Sequence, residues 1–75
     1  MLSKKIVLNG IHDTKQFNWL ASQMPCDVNL RSGKYCVDAK SILGIFSLEL
    51  SLPVTLELES DDSTLLERFT SYFAS

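Results

Sequence analysis

Ala39-Lys40-Ser41-Ile42-Leu43-Gly44-Ile45-Phe46-Ser47-Leu48 is the stretch that decides how this chain is read. Ser41 is a good N-cap, and behind it Ile42, Ile45 and Phe46 recur at i, i+3 and i+4, so the spacing predicts a short helix. A helix this short cannot bury Ile42, Leu43, Ile45, Phe46 and Leu48 together, because they surround more than half of its circumference. Some of them must stay exposed, and exposed apolar clusters mark contact surfaces; the alternative is that they pack beneath a loop.

Upstream, residues 26–31 and 34–38 read as two strands joined through Ser32-Gly33, where glycine permits the positive φ of a tight hairpin. If Arg31 pairs with Lys34, then Leu30 faces Tyr35 and Val28 faces Val37, and these four side chains form one inner face. Cys26 shares that face, whereas Cys36 points the other way beside Asn29. The two thiols are therefore badly placed for a disulfide and read as inert. Further upstream, residues 2–8 read as a first strand with Leu2, Ile6 and Leu8 on one parity, ending at the turn formers Asn9-Gly10. Phe17, Leu20, Ala21 and Met24 then line one face of a helix that Asp13 or Thr14 could cap and that Pro25 stops.

Downstream, residues 52–59 alternate strictly after Pro53, with Val54, Leu56 and Leu58 inward and Thr55, Glu57 and Glu59 outward; proline at the start suits an edge strand. Ser60-Asp61-Asp62-Ser63 supplies caps and negative charge for a last helix whose apolar stripe is Leu65, Leu66, Phe69, Tyr72 and Phe73. The predicted order is β-α-β-β-α-β-α. The implied fold class is α/β, an open-faced sandwich in which helices cover one face of a four-stranded antiparallel sheet. No segment repeats and no linker appears, so residues 1–75 are expected to form one domain.

Composition limits the function classes. With 45% hydrophobic and 21% charged residues the chain has the make-up of an ordinary globular protein, expected to fold without a cofactor. A net charge of −2 with scattered basic residues offers no stripe for a row of phosphates, so no nucleic-acid partner is expected. Apolar runs fall far short of the ~20 residues of a membrane span and no signal peptide opens the chain, so the expectation is a cytoplasmic monomer with no membrane insertion. No catalytic triad, carboxylate pair or phosphate loop can be assembled, which argues against an independent enzyme. A metal site from His12, Asp13, Cys26 and Cys36 would need ligands from both faces of the hairpin, so none is expected.

The element order, the length and the residues from Asp27 to Leu48 resemble HPr, the histidine-containing phosphocarrier family of the bacterial sugar phosphotransferase system. Its members carry a Lys-Ser-Ile-Met/Leu-Gly run followed by Ser-Leu, here Lys40-Ser41-Ile42-Leu43-Gly44 and Ser47-Leu48. The hairpin Asp27-Val28-Asn29-Leu30 with Gly33-Lys34, and the acidic stretch Ser60-Asp61-Asp62, fit as well. The resemblance implies a carrier of phosphate between Enzyme I and Enzyme IIA proteins on a histidine, whose neutral imidazole is a nucleophile near pH 7.

In that family the histidine sits in Gly-Leu-His-Ala-Arg-Pro, where helix amides and the arginine hold the phosphate. Here the corresponding run is Gly10-Ile11-His12-Asp13-Thr14-Lys15. Glycine, aliphatic residue and histidine match; Thr14 and Lys15 replace arginine and proline, and Asp13 sets a negative charge beside the imidazole. His12 also lies two residues closer to Lys40-Ser41 than the family histidine does. It is therefore a doubtful phosphoacceptor, with an exposed or capping residue as the alternative, and Lys15 is a doubtful phosphate contact that lacks the guanidinium fork.

Ser41 matches the serine that a dedicated ATP-dependent kinase phosphorylates in HPr proteins of many Gram-positive bacteria, and the motif around it is intact. By the same resemblance Ile42, Leu43 and Phe46 are partner-facing, and Trp19 is a weaker contact candidate. The expected function is a regulatory protein-binding module of the phosphotransferase system with weak or absent histidine transfer, meeting Enzyme I, Enzyme IIA or an HPr kinase-like enzyme. A working carrier using His12, and an HPr-fold adaptor outside sugar transport, are the alternatives.

Overall fold

In the computed structural model, which describes residues 1–74, alternating strands and one-faced helices assemble as the periodicities predict. The elements are β1 (Leu2–Ile6), α1 (Gly10–Ser22), β2 (Val28–Ser32), β3 (Tyr35–Asp38), α2 (Ile42–Phe46), β4 (Val54–Leu58) and α3 (Ser63–Glu67), followed by a 3₁₀ turn (Thr70–Tyr72). The strands form one antiparallel sheet in the order β1-β4-β2-β3. Ile6, Val28, Leu30, Val54, Leu56 and Leu58 are buried on its inner face, and Phe17, Ala21, Ile45 and Phe69 close over them from the helical side. Phe17 is the centre of that layer, 5.4 Å from the Phe69 ring and edge-on to Tyr72 at 5.6 Å. The outer face is polar, and across it Arg31 Nε donates to Glu57 at 3.1 Å.

Four local expectations are corrected. The hairpin turns on Gly33-Lys34, so Ser32 pairs with Tyr35 and Leu30 with Val37, two residues away from the expected register. A type II′ turn needs positive φ only at its first central residue, and Gly33 (φ +59) supplies it there; a turn centred on Ser32-Gly33 would have put that demand on serine. A two-residue shift preserves parity, so Val28, Leu30 and Val37 still face inward. Tyr35 moves to the hairpin tip and remains 65% exposed instead of joining the core.

The strand after Pro53 is central, not an edge: β4 lies between β1 and β2. Its ladder with β1 begins at Val54 and its ladder with β2 at Thr55, so the missing amide of Pro53 falls outside both. At the opening of α1 the N-cap is Asn9, and Asp13 and Thr14 lie inside the helix. Finally, the last apolar stripe is not one helix. After α3 the chain tightens into the 3₁₀ turn, with Thr70 Oγ1 donating to Glu67 O, and Phe73 then bridges Ile6. Tyr72 O accepts from Val7 N–H at 2.8 Å and Ala74 N–H donates to Lys5 O at 3.0 Å. Leaving the helix lets the chain satisfy the outer edge of β1, which a continued helix would have left unpaired.

Candidate functional site

The segment leading into α2 is held residue by residue. Asp38 accepts from Lys40 N–H through its carboxylate (2.9 Å) and from Ser41 N–H through its carbonyl (3.0 Å). Ala39 is fully buried; its N–H donates to Val28 O at 2.8 Å and its carbonyl accepts from Asn18 Nδ2 at 3.1 Å. The Lys40 ammonium reaches Met24 O at 3.2 Å, just past the carboxyl end of α1. Ser41 Oγ accepts from Gly44 N–H at 3.2 Å, which makes it the N-cap the spacing predicts. The whole run thus locks α2 onto α1 and β2, and the Ser41 side chain stays exposed at the amino end of α2.

The opening of α1 is built differently. Gly10 has φ +83, a left-handed backbone that glycine adopts without a Cβ clash. The Asn9 side chain makes no cap; its N–H instead donates to Asp13 Oδ2 at 3.1 Å, and Thr14 Oγ1, buried, donates back to Gly10 O at 2.9 Å. A carboxylate therefore occupies the positive end of this helix. The same charge reaches Tyr72, whose phenol is pushed above its ordinary value first by burial and then by Asp13. His12 lies inside the first turn of α1 rather than ahead of it, and both His12 and Lys15 are exposed.

Between the opening of α1 and the carboxyl end of α2 runs a groove of about 420 Å³ lined by Leu8, Gly10, Ile11, Thr14, Phe46 and Leu50, among others. Its rim is apolar, with Ile11 64% and Phe46 42% exposed, and Leu43 projects from α2 at 80% exposure. Ile45 is the member of the α2 cluster that is fully buried, while Ile42 and Leu48 are half-buried. The structure therefore brings Phe46 together with the α1 opening, whereas His12, Lys15 and Leu43 do not line the groove. Ile11 and Leu50 were missed by sequence reasoning; the signal for Ile11 is an aliphatic residue next to Asn9-Gly10, off the face defined by Phe17 and Ala21. Trp19 is exposed elsewhere, beside Gln16, Leu20 and Tyr72.

No protein-family model and no curated protein sequence matches the chain. Solved structures do. HPr-C-His from Thermoanaerobacter tengcongensis superposes with a TM-score of 0.81 at 24% identity, over 95% of this chain and 89% of that one. A phosphocarrier protein HPr from Bacillus anthracis str. Ames gives a TM-score of 0.68 at 24% identity, over 97% of this chain and 96% of that one. The chain has the HPr fold, as the resemblance at residues 39–48 implies. Among the described residues no helix is long and apolar enough to cross a membrane.

Proposed function

We propose that this chain is a protein-binding module of the HPr type, serving the phosphotransferase system through the surface around α2 and passing little or no phosphate through His12. The observation that carries this reading is the unequal state of the two helix openings. Around α2 the motif is complete, Ser41 is an exposed hydroxyl, and Leu43, Phe46 and neighbouring Ile11 leave an apolar rim open to a partner. At α1 the amide that opens the helix is already taken by the Asp13 carboxylate, and His12 sits within the first turn with only Lys15 as a nearby cation in sequence. A dianionic phosphoryl group there would meet a negative charge instead of a guanidinium fork.

Ile42, Leu43 and Phe46 are assigned to partner contact and Ser41 to regulation. A phosphate on Ser41 would lie at the amino end of α2, where the helix dipole and first-turn amides favour it. The chain acts as a carrier-fold regulator rather than as an enzyme, and its partners are Enzyme I, Enzyme IIA or an HPr kinase-like enzyme. Two labelling reactions and one binding measurement test this. With Enzyme I and labelled phosphoenolpyruvate, little or no acid-labile label is expected; stoichiometric label lost in His12→Ala would show a working carrier. With an HPr kinase and ATP, acid-stable label lost in Ser41→Ala is expected. In titrations with Enzyme I or Enzyme IIA, Leu43→Asp should weaken binding at least tenfold; unchanged affinity removes the α2 surface from the proposal.

A further inference from the structure

The sheet has two edges and only one is covered. On β1 the C-terminal residues Tyr72, Phe73 and Ala74 take up the outward groups. Among the described residues no strand pairs with the outer edge of β3, although at its end the Asp38 carbonyl is taken by Ser41 N–H. Because the hairpin closes at Ser32 and Tyr35 around a two-residue turn, the alternation of an antiparallel ladder directs the main-chain groups of Tyr35 and Val37 toward β2 and those of Cys36 outward. A residue with both N–H and C=O outward is what an antiparallel two-fold pairing places on its axis, where it exchanges both bonds with its own copy.

Centred on Cys36, that pairing sets Lys34 of each copy opposite Asp38 of the other, so the charges on either side of the axis are complementary, twice by symmetry. It also sets Tyr35 opposite Val37. Tyr35 is 65% exposed and Leu52 61% exposed, and both line a groove of about 800 Å³ between β3 and the segment from Ser47 to Leu52. The inner-face side chains of a second β3 would enter that groove and cover both residues. We propose that two copies of this chain associate through β3, antiparallel and in register about Cys36, to form one continuous sheet. This replaces the monomer expected from the sequence and uses a surface separate from Leu43.

Two four-residue strands make a contact in the small, weak class of interfaces, so association is expected at about 0.1–1 mM protein. Sedimentation equilibrium from about 20 μM to 1 mM should show the mass rising toward twice that of the monomer. Lys34→Glu, which opposes Asp38 with a like charge at both ends, should weaken association about tenfold. Cys36→Pro removes the outward N–H while sparing the ladder with β2, and should abolish it; circular dichroism verifies that both variants are folded. Cys26→Ser protein, with Cys36 as its one thiol, should give a diamide-induced disulfide dimer that rises with protein concentration alongside the sedimenting dimer, because a hydrogen-bonded antiparallel pair holds Cα atoms ~5.5 Å apart. A monomer mass at 1 mM, or a dimer unaffected in both folded variants, overturns the proposal. Leu43→Asp should leave the dimer constant unchanged, which separates this result from the partner-binding reading.

Discussion

Replacing Ser41 tests whether the hydroxyl that a kinase would modify also holds the helix it opens. Its oxygen accepts one hydrogen bond, from Gly44 N–H at 3.2 Å, and the residue is exposed. Loss of a serine N-cap to alanine costs ~1 kcal/mol, and water can reach this amide, so about 0.5–1 kcal/mol is expected. In a domain of 60–100 residues each kcal/mol moves the melting temperature by about 4–8 °C, so Ser41→Ala should melt about 2–8 °C lower. Glycine at an N-cap costs only a few tenths of a kcal/mol, whereas aspartate retains an acceptor and adds charge complementary to the helix dipole. The expected order of stability is therefore Asp and Ser highest, Gly just below and Ala lowest. Thermal unfolding followed by circular dichroism, with urea titrations for free energies, reads it directly. An alanine variant as stable as the parent, or an aspartate variant as weak as alanine, would refute the cap. The comparison also protects the labelling experiment: Ser41→Ala should remain folded at assay temperature, so missing label reports the missing hydroxyl and not an unfolded substrate.

Phe69→Ala empties the buried site beside Phe17 and should cost about 3–5 kcal/mol, read as a drop in urea midpoint with little change in slope. At Gly33 (φ +59) an added Cβ meets no atom within 4 Å, so Gly33→Ala carries the backbone cost alone, about 1–2 kcal/mol, and Gly33→Asn should recover part of it. The Asp62 carboxyl is held below its ordinary 3.8 by hydrogen bonds from the Thr64 hydroxyl and N–H. Its cap on α3 therefore contributes fully above that value and is lost as pH falls through the lower folded value. A proton-NMR titration should show the Thr64 amide shifting over that acid range, and Thr64→Val should move the midpoint back up.

Much of the fold was legible because binary patterns repeat with the period of each element. Val54, Leu56 and Leu58 alternate as a half-buried strand must, and Ser41 stands where a cap is needed ahead of Ile42, Ile45 and Phe46. The resemblance to HPr at residues 39–48 pointed to the same fold; in that run Asp38 and Ser41 make local bonds that shape the entry to α2, while Ala39 and Lys40 tie it to β2 and α1. For the candidate site less could be read. That α2 must leave apolar side chains exposed followed from its length, but that Ile11 and Leu50 share a groove with Phe46 depends on how the opening of α1 meets the carboxyl end of α2.

By itself, then, the sequence determined the kind and order of the elements and which side of each faces the core, since those follow from side-chain period and local caps. Tertiary structure decided strand order, pairing and edges. Parity is unchanged by a two-residue slip, so only turn geometry at Gly33 set the hairpin register and left Tyr35 outside. The apolar stripe from Leu65 to Phe73 looks like one helix until the unpaired edge of β1 competes for its end. Likewise the sequence placed Asp13 near the opening of α1, as a cap or as a charge beside His12; its bond to Asn9 N–H from within the helix exists only because the backbone turns at Gly10.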